Sequence, residues 1–186
     1  MTPLIITVVV LVLIALWAAG TYNALIATRN QVDEAGSDIH VQMRRRYDLI
    51  PNLVETVKGY AKHEDDLFTK VTEARAGAIS ANGGGINAEQ QAEKTLSGAL
   101  RTVFAVAENY PELKANENFM QLSKELSETE DKLEAARRFY NATVREYNTR
   151  IQVIPGNIIA GLARFTAREL YVLESPEVAE PVTVKF

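Results

Sequence analysis

The sequence predicts an all-α membrane protein: a single N-terminal transmembrane helix continuing into an antiparallel helical bundle. Three long helices, the first kinked near Pro51, and a short C-terminal helix make up that bundle. Three observations carry this prediction. The first twenty-eight residues contain no Asp, Glu, Lys, Arg or His. Downstream, apolar residues recur every three or four positions, the period of one helix face. No segment alternates apolar and polar residues for long enough to suggest a half-buried strand.

The first element is the run Leu4 to Gly20, LIITVVVLVLIALWAAG. A helix needs about 20 apolar residues to cross a hydrocarbon core. Tyr22 to Ala27 can extend the run into the interface. Leu4, Val8, Leu11 and Ile14 form the anchor, and Trp17 and Tyr22 lie near its inner end, where amphipathic rings prefer to sit. A cleaved signal peptide is the competing reading, and Ala18 and Gly20 form a small-x-small pair. A signal peptide also calls for a positive leading region, however, and no Lys or Arg precedes the run. A retained anchor is therefore expected. Arg29 and Arg44 to Arg46 follow the span, so the positive-inside rule places the N-terminus outside and the body in the cytoplasm. A periplasmic body is the alternative.

Three segments follow from this: residues 1–28 as anchor and interface, 29–173 as the bundle, and 174–186 as an extended tail carrying Pro176 and Pro181. In the bundle, the first stripe runs through Val32, Ala35, Ile39, Met43, Ile50, Leu53, Val57, Ala61, Phe68, Val71 and Ala78. Pro51 lacks an N–H and clashes with the preceding turn, so a kink or a fresh helix start is expected there. Ser80 to Gly85 is turn chemistry. A second helix is expected from Asn87, with Asn87 as N-cap and Gln90 completing a capping box. Its apolar face is read as Ala92, Leu96, Ala99, Val103 and Val106, and Tyr110-Pro111 stops it.

The third helix carries the longest stripe: Phe119, Leu122, Leu126, Thr129, Leu133, Ala136, Tyr140, Val144, Tyr147, Ile151 and Ile154. Glu128 with Lys132, and Glu134 with Arg138, are favourable i,i+4 pairs on the opposite face. Pro155-Gly156 ends this helix, and Asn157 is placed to cap a short apolar helix over 158–165. The length mismatch between the second and third helices leaves apolar stripe to cover. The first helix can cover it, or a second copy can do so through a coiled-coil seam.

Composition narrows the chemistry. The chain has 186 residues, a net charge of −4 and no cysteine. The negative balance argues against nucleic acid as a partner, because phosphate binding requires a positive surface. Without cysteine there are no disulfides, thiolate nucleophiles or cysteine zinc sites. His63-Glu64 lacks the second histidine of a zinc protease, since position 67 is Leu. Ser37 and Tyr60 stand where a di-iron bundle would have glutamate before His40 and His63. Gly83 to Gly85 has no following Lys-Ser/Thr, so no P-loop is supported. Asn141-Ala-Thr143 is a sequon in mid-helix, read as accidental. No catalytic, cofactor or metal residue is expected.

Arg44 to Glu64, RRRYDLIPNLVETVKGYAKHE, resembles the signature of the LemA family of bacterial membrane proteins. Further matching pieces are Arg29-Asn30-x-Val32, Val41-Gln42, Tyr110-Pro111-x-Leu113-Lys114-Ala115, Thr129-Glu130, Ala136-Arg137-x-x-Tyr140-Asn141, Tyr147-Asn148 and Pro181 to Phe186. One departure is visible: Gly36 stands where similar proteins usually carry an aromatic residue. The resemblance implies a single N-terminal span followed by an antiparallel helical bundle, and it supplies no activity. One branch of the family is associated with magnetosome membranes.

The remaining candidates form a partner or packing surface: Arg44, Arg45, Arg46, Asp48, Pro51, Asn52 and Glu55. The Arg triplet is expected to pair with acids of the third helix. Lipid head-group contact is the alternative, at about 1 kcal/mol per residue near an anionic surface. The function expected is that of a non-enzymatic scaffold or adaptor of the bacterial inner membrane. Its expected partners are the lipid bilayer, further copies of itself and other membrane proteins. A membrane-shaping assembly is the alternative, and a metal-dependent or enzymatic factor a second one.

Overall fold

The computed structural model describes residues 2–171, so the tail expected over 174–186 lies outside the described residues. The described chain is all-α, with six helices. They are α1 (Thr2–Lys58), α2 (Asp65–Ala81), α3 (Ile86–Ala107), α4 (Pro111–Lys114), α5 (Glu117–Gln152) and α6 (Gly156–Leu162). The described residues group into two compact units. One joins the chain up to Ile39 with Phe139–Leu170, and the other comprises His40–Arg138 with Tyr171.

The first unit begins with a helix long and apolar enough to cross a membrane. Its large apolar side chains from Leu4 to Trp17 are exposed. Burial starts at Leu25 and continues through Thr28, Val32, Ala35 and Ile39. On α5 the facing stripe is Tyr140, Val144 and Tyr147. The site of Gly36 faces the Tyr140 ring, which stands 3.6 Å from where a Cβ would be. Tyr140 thus holds the space that an aromatic residue at position 36 would claim. Past α6, an extended strap is pinned by side chains of α5. The Tyr147 hydroxyl donates to the Thr166 carbonyl, the Tyr140 hydroxyl to that of Glu169, and the Asn148 amide brackets Arg168. Arg168 also pairs with Asp33 at 2.8 Å.

In the second unit every apolar position of the first predicted stripe from Met43 to Ala78 is buried. Of the two outcomes expected at Pro51, a kink or a fresh helix start, the fresh start does not occur. α1 runs through Pro51 to Lys58, and the turn comes at residues 59–64, which separate α1 from α2. What is expected as three long helices is therefore four. The physical reason lies on α2. A proline at position 51 leaves the carbonyl four residues back, that of Tyr47, without its helical donor. Arg75 Nε donates to that carbonyl at 2.7 Å. The guanidinium replaces the missing N–H and lets the helix continue.

This substitution of donors is testable. Arg75→Met is expected to destabilise the protein by about 1.5–3 kcal/mol, the range for a hydrogen bond to a charged group. In a Pro51→Ala background, where position 51 regains an N–H that can reach the Tyr47 carbonyl, the same change should cost less. Urea melts of the four proteins measure the coupling; strictly additive effects would contradict it.

Two further expectations are corrected. α3 starts at Ile86, after Gly85 at φ 101°, and Asn87 does not cap it. Gly85 supplies the left-handed turn, and the Glu89 carboxylate reaches back to accept the Gly83 N–H at 2.9 Å. The buried face of α3 is Glu89, Glu93, Leu96, Leu100, Val103 and Ala107, not the phase of Ala92, Ala99 and Val106. At its far end, α5 stops at Gln152, and Ile154 is exposed instead of closing the stripe. α6 begins at Gly156 after Pro155, without an Asn157 cap. A Cβ on Gly156 would overlap the Arg150 carbonyl, so glycine is what allows the corner to close. α1 and α5 pack antiparallel in the second unit: Arg46 meets Glu130, and Tyr60 beyond α1 meets Asn116 ahead of α5.

Candidate functional site: an ionic cluster beneath an exposed helix face

The residues around the Arg triplet divide by helix phase. Arg44, Arg45, Asp48, Pro51, Asn52 and Glu55 are exposed, together with Val41. Their spacing of three and four places them along one face of α1. Ile50, Leu53, Val54 and Val57 point the other way and are buried. Arg46 belongs to the buried half, at 6% exposure. Six of the seven candidates therefore share one surface, and the seventh lies in the core.

Arg46 is the centre of an ionic cluster. Its Nη1 donates to Glu93 Oε2 on α3 at 3.0 Å and lies 2.9 Å from Glu130 Oε2 on α5. Its Nη2 donates to Ser97 Oγ at 3.0 Å. The expected pairing with the third long helix is thus present for Arg46, through Glu130, and is joined by a more deeply buried contact to α3. The Tyr47 hydroxyl donates to Glu93 Oε1 at 2.6 Å. Arg137 approaches the same carboxylate at 4.0 Å.

A second carboxylate, Glu89, sits one turn earlier on α3. Its Oε2 accepts from the Tyr171 hydroxyl at 2.6 Å. Its Oε1 accepts from the Gly83 N–H and lies 3.3 Å from His40 Nε2. The Arg137 guanidinium lies over the Tyr171 ring, 5.9 Å from its centroid. Three carboxylates thus face two guanidiniums and one imidazole. Isolated buried charges are costly, and here Arg46 is paired with Glu93 and Glu130, while Arg137 Nε has no hydrogen-bond partner among the described residues. The cluster ties α1, α3, α5 and Tyr171 to one another.

Burial and the hydrogen bond to Glu93 push the Tyr47 phenol well above its usual value. Tyr147 in the first unit is also raised, mainly by burial. A raised phenol pKa keeps the folded state protonated where the unfolded chain has begun to ionise. The stability this contributes is complete below about pH 10, the unfolded value, and is lost as pH rises through the folded value. The wild-type thermal midpoint should fall above pH 10. Tyr47→Phe should be less stable at neutral pH but lose less on going from pH 9 to 11, as followed by circular dichroism.

Sequence reasoning missed Glu89, Glu93, Arg137, Tyr171 and Arg75. A signal was present: Glu89 and Glu93 fall in register with Leu96, Leu100, Val103 and Ala107. Acids in an apolar phase call for buried partners, and Arg46 sits in the apolar phase of α1. Between α2 and α3 there is also an open groove of about 750 Å³. Small residues floor it, among them Ala74, Gly77, Ala92, Gly98 and Ala99, with Lys70 and Glu73 also lining it. The Ala92 and Ala99 phase read as core lines this groove instead.

Residues 35–186 match the profile of the LemA family. The chain is 28% identical over 144 residues to the protein LemA of Metamycoplasma hominis, covering 76% of this chain and 64% of that protein. It is 25% identical over 185 residues to the magnetosome protein MamQ 2 of Paramagnetospirillum magneticum, covering 87% of this chain and 68% of the relative. The magnetosome protein MamQ of Magnetospirillum gryphiswaldense matches to the same extent. The chain thus spans about two thirds of the length of these relatives.

Proposed function

This chain belongs to the LemA family, and from that premise we propose that it is a membrane-anchored helical scaffold that holds protein partners, including copies of itself, at the inner face of the bacterial cell membrane. One observation carries the reading: α1 continues without a break from the apolar span to the exposed face of Arg44, Arg45, Asp48, Asn52 and Glu55. The buried ionic cluster holds the opposite side of the same stretch, so the exposed face is displayed on a fixed backbone. Rigid display of a surface is what a scaffold requires.

The body is assigned to the cytoplasm on its basic flanks. Arg29 follows the span, and Arg44 to Arg46 come further along α1. This asymmetry fits the positive-inside rule. The alternative, lateral assembly that curves the bilayer, would give tubules or arrays on liposomes, and smooth vesicles at high loading would remove it.

Proximity labelling from the second unit in living cells tests the scaffold reading. The wild type should mark a defined set of cytoplasmic neighbours. Arg44→Glu with Arg45→Glu should lose them at an unchanged thermal midpoint, because both residues are exposed. An unchanged set of neighbours, or labelling confined to the periplasm, would contradict the reading.

A further inference from the structure

We infer that α6 and the turn before it form a second membrane contact, an interfacial wedge that seats the foot of the first unit in the lipid head-group region. The inference rests on the anchor reading of α1 and adds to it a surface that a single span does not require.

The starting observation is exposure. Ile154 is 80% and Leu162 79% exposed, more than any large apolar side chain of the anchor, where Leu4 reaches 71%. Ile158 and Val153 are exposed as well. Ile158 and Leu162 are spaced by four, so they line one side of α6, and Val153 and Ile154 extend the apolar surface into the turn before it. The other side of α6, Gly156 and Ala160, is buried. The helix is therefore fixed to the protein by its small residues and presents its large ones outward. In a soluble setting this arrangement leaves a costly apolar surface uncovered.

Position identifies what covers it. Phe165, three residues beyond Leu162, packs edge-on against Tyr22 with ring centroids 5.9 Å apart. Tyr22 stands at the end of the lipid-exposed run, and burial of α1 within the protein begins at Leu25. The exposed face of α6 is thus continuous with the span at the depth where aromatic rings mark the membrane–water boundary. Charge agrees. Arg164 stands two residues beyond Leu162, while of the neighbouring arginines Arg150 pairs with Glu146 and Arg168 with Asp33. A short apolar helix followed by an arginine suits an interface with anionic head groups. A second copy of the protein would have to reach this face at the bilayer surface, whereas lipid is already present where Tyr22 lies.

The chain has no cysteine, so single-cysteine variants report one site each. Leu11→Cys, Ala142→Cys, Ile158→Cys and Leu162→Cys are labelled with an environment-sensitive nitrobenzoxadiazole dye. The full-length proteins are then reconstituted into phosphatidylcholine–phosphatidylglycerol vesicles. The dyes at 158 and 162 should shift to the blue and be quenched by doxyl-labelled phosphatidylcholine, as at 11, while the dye at 142 should show neither effect. Replacing phosphatidylglycerol by phosphatidylcholine should weaken quenching at 158 and 162 more than at 11. Quenching at 11 with water-like emission at 158 and 162 would overturn the wedge and leave the anchor standing. A blue shift without lipid quenching at 158 and 162 would also overturn it, in favour of a second copy covering the face. Water-like emission at 11 would overturn the anchor and the wedge together.

Discussion

Replacing Arg46 by methionine will destabilise the second unit by about 3–5 kcal/mol, the cost of leaving a buried charge without its partner. Arg46 holds both Glu93 and Glu130, and its own exposure is 6%. Methionine fills comparable space but supplies no positive charge, so Glu93 keeps only the longer contact to Arg137 and the Tyr47 hydroxyl. Most small domains have a total stability of about 5–15 kcal/mol, so a loss of this size should be obvious in a urea melt. Arg44→Met, on the exposed face two residues earlier, should stay within about 0.5 kcal/mol of wild type. The sharper test is compensation. Arg46→Met combined with Glu93→Gln and Glu130→Leu removes the unpaired carboxylates while leaving the Tyr47 hydroxyl an acceptor at position 93, and should recover much of the loss, because the cost of the single change lies in the buried charges it leaves behind. A triple variant less stable than the single one would mean that Arg46 acts through something other than charge balance.

The second large effect concerns the span. Leu11→Arg together with Ile14→Arg will abolish stable membrane residence, since each arginine near a helix centre costs about 2.5–3.5 kcal/mol on insertion scales. Both positions lie in the apolar stretch of α1 and are exposed among the described residues. Folding of the body should survive, because burial starts only at Leu25. Membrane fractionation together with circular dichroism would register this as helical protein shifted from pellet to supernatant. A double variant that still pellets and resists salt would show that other surfaces suffice to hold the body to the membrane.

The sequence exposes the skeleton of this fold clearly, and the reasons are local. Leu126, Leu133, Tyr140, Val144 and Tyr147 are buried as their spacing requires, because a long amphipathic helix states its inner face in its own residues. The uncharged lead of α1 is equally plain. What is hidden depends on partners distant in the chain. Pro51 looks like a break until Arg75 is seen to serve the Tyr47 carbonyl. The turn at Gly59 has weaker local marks than a proline and goes unnoticed. Alanines at 92 and 99 mimic a core phase, whereas the true phase contains Glu89 and Glu93, which only Arg46, Tyr47, Arg137 and Tyr171 make tolerable. The short apolar helix after Pro155 is visible in sequence, but that its large side chains face away from the protein is a property of packing alone.

The same division applies to the candidate surface. The stretch from Arg44 to Glu55 stands out in sequence as one block. Its separation into an outward strip and a buried Arg46 follows from helix phase once α1 is known to continue through Pro51. Had the helix restarted at Pro51, Asn52 and Glu55 would have no fixed relation to Arg44 and Arg45. The shared face of these residues thus depends on α1 continuing through Pro51.

The central claim is that the apolar start of α1 is retained in the protein and stays lodged in lipid. Alkaline carbonate extraction of membranes from cells expressing the full chain, followed by intact mass measurement, tests it most directly. The expected result is protein that stays in the membrane pellet and keeps residues 1–28. A shorter species that starts near Thr21 and appears in the carbonate supernatant would contradict it.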